Sequence, residues 1–266
     1  MPLVHLNDID IYYELHGQGP PLVLIMGLRR NAEWWYQQIP AFSKHFRVLV
    51  FDNRGSGRSS QPDAPYSIAL LTADAIALLE HLNIRRADIL GYSMGGYIAQ
   101  ELAIRRPEMV RRLVLVSTGA GGASGVRMAP EQRREFENVA GLSPAEALQK
   151  NLFAYFSPAY SDSHPQEMAR FMEVSLRHLQ APQAFLRQYQ ACLEHDTTGR
   201  LGQITAPALI MAGDEDPVLP PANAHILKQL LPQAELQLFP GGRHSFMLQM
   251  PAEFNRAVLR FLGAEA

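Results

Sequence analysis

Hydrophobic positions run along this chain in two rhythms, and the elements follow from where one gives way to the other. Residues 4–15 alternate, with Val4, Leu6, Ile9, Ile11, Tyr13 and Leu15 apolar and mostly polar residues between them. That is the period of a half-buried hairpin turning at Asn7-Asp8. Gly17-Gln18-Gly19-Pro20-Pro21 breaks it, and residues 22–26 and 46–51 are then continuous apolar runs, as strands buried on both faces require. The segment 34–42 between them reads as a helix. Ile68, Leu71, Ala75, Ile76, Leu78, Leu79 and Leu82 lie near helical spacing and predict a long amphipathic helix. A strand at 87–90, a helix at 97–106 and a strand at 113–116 follow. Strand and helix in alternation predict an α/β fold, a mostly parallel sheet with helices on both faces.

After Thr118 the rhythm changes. A glycine-rich exit over 119–125 leads into helical patterns at 130–140, 144–153, 164–180 and 182–194, with no strand among them. Strands then return at 208–212 and 235–239, with helices at 222–231 and 252–262. Eight strands are therefore expected, with a helical block inserted after the sixth. Residues 1–118 and 200–266 read as the core and 119–199 as a cap. In open parallel sheets ligands bind at the carboxyl ends of the strands, so the cap is expected there, as a lid.

Composition narrows the function. With a net charge of −2 the chain offers no electrostatic case for nucleic acid or an anionic membrane; a small-molecule substrate is expected, with the chain a monomer or homodimer. A single cysteine, Cys192, excludes an internal disulfide framework and a thiolate-rich metal site, and reads as a small buried hydrophobe. The first residues show no signal-peptide pattern, and no apolar run approaches the roughly 20 residues that span a bilayer. The expected location is cytoplasmic.

Chemistry concentrates at Gly91-Tyr92-Ser93-Met94-Gly95-Gly96, a Gly-x-Ser-x-Gly sequence between a predicted strand and a predicted helix. There a serine sits on a sharp strained turn, small neighbours make room for it, and the helix N-terminus favours negative charge beside it. A serine nucleophile needs a base, and the base an orienting acid. Two later strand exits offer them: Gly213-Asp214-Glu215-Asp216 and Gly242-Arg243-His244. The other histidines have no comparable setting: His225 lies in a predicted helix, while His178 and His195 are in or beside the cap helices, and no metal-ligand spacing links them.

Together with Asp52-Asn53-Arg54-Gly55-Ser56-Gly57-Arg58-Ser59, which has the form Asp-x-Arg-Gly-x-Gly-x-Ser, these motifs resemble the α/β-hydrolase fold family over essentially the whole chain. The sequence is most similar to small members that include 3-oxoadipate enol-lactonases, carboxylesterases and cofactor-free haloperoxidases. The resemblance implies Ser93 as nucleophile, His244 as base and Asp216 as acid, with Asp214 the alternative in the same turn. It implies an oxyanion hole from the backbone N–H groups of Met94 and Leu28, although the family's common His-Gly pair is here Met26-Gly27. It implies hydrolysis of an ester or lactone through an acyl-enzyme, with no metal and no organic cofactor. The same three residues also serve C–C bond hydrolases, perhydrolases and slow ligand sensors, whereas an aspartate at the elbow would mark haloalkane dehalogenases and epoxide hydrolases. The Asp52 to Ser59 loop reads as a brace. For the substrate pocket the candidates are Arg29, as a carboxylate clamp beside Arg30, and the aromatic residues Trp34, Phe153, Tyr155 and Phe156, with Trp35 and Tyr160 as further possibilities; solvent for the arginines and plain core packing for the aromatics are the alternatives.

Overall fold

The computed structural model describes residues 2–264; Met1, Glu265 and Ala266, at the ends of the two core segments, lie outside the described residues. The hairpin pairs β1 (Leu3–Leu6) with β2 (Ile9–His16), Leu6 opposite Ile9. Its turn residues Asn7 and Asp8 take φ of 49° and 61°, a left-handed region that their short polar side chains tolerate. β2 runs antiparallel to β4 (Arg47–Phe51), and every later pairing is parallel. β3 (Pro21–Ile25) lies between β4 and β5 (Ala87–Tyr92); β6 (Val110–Val116), β7 (Ala208–Gly213) and β8 (Glu235–Phe239) extend the sheet. The strand order is β1-β2-β4-β3-β5-β6-β7-β8.

Alternate side chains of the buried strands leave on opposite faces, so the sheet divides the core in two. Val23, Ile25, Leu49, Ile89, Leu113, Leu115 and Ile210 belong to one apolar cluster. Leu22, Leu24, Val48, Val50, Leu90, Val114, Val116 and Met211 belong to the other. This second cluster contains Phe42 of α1 (Ile39–Phe42). α2 (Ile68–His81) and α3 (Met94–Arg105) supply Leu71, Leu78, Ile98 and Leu102 to the first. Full burial of each such side chain is worth about 1.5–3 kcal/mol.

Between β6 and β7 come α4 (Pro130–Glu137), α5 (Pro144–Lys150), α6 (Leu152–Tyr155), α7 (Pro158–Ser163), α8 (Pro165–Arg177) and α9 (Pro182–Glu194). The segment leaves and rejoins the core at one place, where Gly121 and Asp196 form an isolated antiparallel bridge. α10 (Ala222–Leu230), α11 (Phe246–Gln249) and α12 (Pro251–Leu262) complete the chain. Leu227 of α10 joins the first cluster and Phe254 and Val258 of α12 the second.

Two expected helices are broken. The segment 34–42 is a 3₁₀ turn at Ala32–Trp35 followed by α1, because Pro40 has no N–H to bond the Tyr36 carbonyl and the helix must restart there. The helix expected over 144–153 stops at Asn151, whose side-chain amide donates to the Phe136 carbonyl (2.9 Å) and pins the joint between α5 and α6. α7 and α11, with six and four residues, are too short to show a helical period.

The parallel register aligns strand ends. Ile25 is opposite Gly91, Tyr92 opposite Val116, and Val116 opposite Met211. The residues that follow β3, β5, β6, β7 and β8 therefore emerge along one edge of the sheet.

Candidate active site

Ser93 is the residue between β5 and α3, with φ 54° and ψ −120°. For a residue with a side chain that conformation is strained, and the neighbouring glycines show what over-determines it. A Cβ on Gly95 would overlap the Ile25 carbonyl oxygen, and one on Gly91 the Gly95 carbonyl oxygen. Thr118 crowds Gly96 and donates from its hydroxyl to the Ser93 carbonyl (2.9 Å). Ser93 is half-buried and opens on a cavity. Its Oγ lies 3.1 Å from His244 Nε2, and His244 Nδ1 lies 2.8 Å from Asp216 Oδ2. His244 and Asp216 are 4% and 2% exposed. The other carboxylate oxygen of Asp216 accepts from the Val218 and Leu219 N–H groups (2.8 and 3.0 Å), which fixes its plane. Asp214, the alternative acid, is exposed and accepts from Gly241 N–H (2.7 Å); it shapes the neighbouring turn and leaves His244 to Asp216.

Further contacts hold His244 and its turn. Ser117, itself at φ 45°, donates from its hydroxyl to the His244 carbonyl (2.9 Å). The His244 N–H donates to the Ala154 carbonyl of α6 (3.2 Å) and that of Ser245 to the Tyr155 carbonyl (3.1 Å). The Tyr92 ring lies 5.2 Å from the imidazole, and its hydroxyl is 3.1 Å from Ser245 Oγ. Burial raises the Tyr92 phenol far above its usual range, so it stays neutral.

Leu28 and Met94 both line the cavity beside Ser93. Met94 is the first residue of α3, so its N–H has no acceptor within the helix. The loop carrying Leu28 is braced from two sides. Asn53 donates to the Met26 carbonyl (2.8 Å), and Asp52 accepts from Ala32 N–H (2.7 Å) and from Arg58 N–H (2.8 Å); the 52–59 loop is the brace that its glycine-rich pattern predicts. The second brace comes from α9. Gln188, wholly buried, accepts from Arg29 N–H (3.2 Å) and from Gln180 Nε2 (2.9 Å). It also donates to the Arg54 carbonyl (2.7 Å) and to Ser56 Oγ (2.9 Å). Arg29 sits at φ 68°, so the turn after Leu28 is a strained one held in place by this side chain.

The cavity measures about 460 Å³ and is walled by core loops below and by α4, α5, α6, α8 and α9 above. Of the expected substrate contacts, Arg29 and Tyr155 line it, whereas Trp34, Phe153 and Phe156 do not. Trp34 lies beneath Arg30 and against Phe171 (4.9 Å between rings). Phe156 is in the core against Tyr160 and Phe171. Phe153, two positions and about 200° around the helix from Tyr155, turns away from the cavity while its carbonyl accepts from Arg243. Trp35 and Tyr160 are likewise absent from the lining.

A profile of the alpha/beta hydrolase fold matches residues 20–251. The chain belongs to that family. It is 30% identical, over 99% of its own length and 98% of the relative's, to a protein of Azorhizobium caulinodans provisionally named carbamate hydrolase RutD. It is 32% identical to 3-oxoadipate enol-lactonase 2 of Acinetobacter baylyi, with 97% of each chain covered. The crystal structure of the enol-lactonase from Burkholderia xenovorans LB400 superposes with a TM-score of 0.86 at 28% identity, covering 98% of this chain and 100% of that one.

Within this α/β hydrolase, Gln188 was not among the candidate residues, yet its signal was present. Ala184, Gln188 and Ala191 form the buried face of α9, and a glutamine on a buried stripe needs partners. Cys192 also lines the cavity; burial pushes its thiol up to about 12, so it is no thiolate at neutral pH. No helix among the described residues is long and apolar enough to cross a membrane.

Proposed function

We propose that this α/β hydrolase cleaves a carboxylic ester or lactone of a small molecule through Ser93, His244 and Asp216. The observation that carries the reading is the continuous line of hydrogen bonds from Ser93 Oγ to His244 Nε2 (3.1 Å) and from His244 Nδ1 to Asp216 Oδ2 (2.8 Å), with the serine facing the cavity. Ser93 Oγ attacks the carbonyl carbon as Nε2 takes its proton, and Asp216 holds the imidazole in the tautomer whose Nε2 can accept it. The carbonyl oxygen, now negative, is received by the Leu28 N–H after β3 and the Met94 N–H at the start of α3. His244 gives its proton to the departing alkoxide or enolate. A water, deprotonated by His244 in turn, attacks the acyl-enzyme and releases the acid. The helices of 119–199 act as the cap that excludes bulk water and sizes the acyl group. The names of the relatives, one a lactonase and one a carbamate hydrolase, support acyl chemistry of this kind.

Hydrolysis of p-nitrophenyl esters of increasing chain length and of simple lactones, with Ser93→Ala as control, tests it. Turnover that disappears in Ser93→Ala is expected. Turnover that survives the substitution, or inactivity on every ester and lactone, would overturn the reading.

A further inference from the structure

Two arginines of this chain are buried to the same extent, each 7% exposed. Arg54 is held bidentately by Asp74 (2.7 and 2.8 Å) and donates also to the Asn7 carbonyl. Arg30 has nothing comparable. Among the described residues its guanidinium has no hydrogen-bond acceptor and no carboxylate within 4.0 Å, although it lines the cavity with Ser93 and His244. It lies between two aromatic faces, 4.0 Å from the Trp34 ring centroid and 5.0 Å from that of Tyr155. Those rings support the flat faces of a guanidinium and leave its edge of N–H donors unsatisfied.

The nearby carboxylates are already engaged. Glu33 is bound by Arg58, Arg177 and His178. Asp216 is occupied by His244 and two backbone N–H groups. Glu137, on the cavity wall, pairs with Arg133 at 3.9 Å. Arg29 and Arg127 line the same cavity without an ion-pair partner among the described residues. A buried cation without a counter-ion is costly, and the exposed Arg29 and Arg127 add positive charge to the same cavity, which attracts anions. The site is also well placed: the Tyr155 ring that supports Arg30 is 6.5 Å from the His244 ring, and the Arg30 N–H donates to the Gly27 carbonyl in the turn that carries Leu28.

We infer that Arg30 is an anion subsite of the Ser93 cavity and that the substrates are short esters or lactones carrying a second, free carboxylate, which the guanidinium binds edge-on. The inference rests on the hydrolase reading for the word substrate, and on Arg30 alone for the anion.

Mono-p-nitrophenyl glutarate and p-nitrophenyl valerate have acyl chains of equal length and differ in the terminal carboxylate. The wild type is expected to favour the glutarate half-ester, and the preference to shrink as salt is raised. Arg30→Met should reduce it about 10- to 100-fold, the loss expected for a charged hydrogen-bonded contact, chiefly through KM. Arg30→Lys should restore part of it. Equal loss on both esters in Arg30→Met, or no preference in the wild type, would overturn the subsite while leaving the hydrolase reading intact. Binding of free glutarate to Ser93→Ala, followed by calorimetry and abolished by adding Arg30→Met, reads the subsite without turnover. Glutarate binding with no hydrolysis of any ester would overturn the hydrolase reading and keep the subsite. Should Arg30→Met not fold, salt-sensitive competition by glutarate against valerate hydrolysis in the wild type, weakened in Arg30→Lys, decides the matter; its absence counts against the subsite.

Discussion

Replacing Gln188 by leucine isolates the link between the inserted helices and the loop that carries Leu28. Leucine fills nearly the same space but ends four hydrogen bonds: from Arg29 N–H, from Gln180 Nε2, to the Arg54 carbonyl and to Ser56 Oγ. Their fates differ. Arg29 is exposed, so its N–H can turn to water, and Gln180 keeps its bond to the Gly55 carbonyl (2.6 Å). The Arg54 carbonyl and the fully buried Ser56 hydroxyl have no such recourse. A buried polar group left without a partner costs about 1–3 kcal/mol; with two such groups and some relaxation, Gln188→Leu should lower the unfolding free energy by about 2–4 kcal/mol. The activity should fall as well. The turn after Leu28 is strained, and without Gln188 it can relax and swing the Leu28 N–H away from the developing oxyanion. Outright loss of one such donor costs about 10²–10³ in kcat, so a partial displacement should cost at least about tenfold, with KM little changed because the charge exists only in the transition state. Urea unfolding and steady-state kinetics on a p-nitrophenyl ester would measure both. A variant as stable and as active as the wild type would refute the reasoning. Lost stability with unchanged kcat would show that Gln188 holds the fold and not the oxyanion loop.

Asp216→Asn should fold normally, since the Val218 and Leu219 N–H groups still find an oxygen. Its amide, however, would donate to Nδ1 and select the wrong imidazole tautomer, for a loss in kcat of about 10³–10⁴; a loss under tenfold on any hydrolysed ester would point away from Asp216. His195 is buried against Tyr97, its Nε2 has no partner, and burial lowers it from 6.5 to about 4. The unfolded chain therefore takes up this proton first, and the histidine's contribution, whole above pH 6.5, is lost as the pH falls to 4, about 3 kcal/mol in all. Urea midpoints at pH 7.5 and 4.5 should diverge less in His195→Phe than in the wild type, and equal divergence would count against it. Gly95→Ala should destabilise by about 1–3 kcal/mol or more, because the new methyl meets the backbone oxygen of Ile25, whereas Gly202→Ala, with nothing within 4 Å, should leave the melting temperature within a degree or two; similar melting temperatures for the two would refute the packing argument.

Which parts of this site could be read from the sequence follows from how each part is built. Ser93, Asp216 and His244 each follow a strand of one parallel sheet, and the register that aligns those strand ends is fixed by runs of apolar residues plainly visible in the chain. Their meeting is a consequence of topology, which is why the order of motifs points to all three. Gly91 and Gly95 were legible for a related reason: close backbone approach leaves no room for any other residue, as the Thr118 side chain leaves none at Gly96. The aromatic candidates were harder to rank because their placement depends on rotation. Phe153 and Tyr155 share one short helix that ends before Phe156, and of the three only Tyr155 lines the cavity. A helix of four residues carries too little period to reveal which face that is, and its start was hidden by the break at Asn151.

The two arginines after Leu28 make the distinction sharper. In sequence Arg29 and Arg30 are equivalent, adjacent and equally charged. What separates them is the positive φ at Arg29. That reversal sends Arg29 outward, near the Phe185 ring (5.7 Å), and turns Arg30 inward between Trp34 and Tyr155. The same reversal depends on Gln188, which accepts the Arg29 N–H. One buried glutamine on an inserted helix thus bears on both proposed substrate contacts, the Leu28 N–H for the reacting carbonyl and the Arg30 guanidinium for the second carboxylate. If that coupling holds, Gln188→Leu should weaken the preference for a glutarate half-ester along with kcat, although Gln188 touches neither group. A preference left intact while kcat falls would mean that the two groups are held independently.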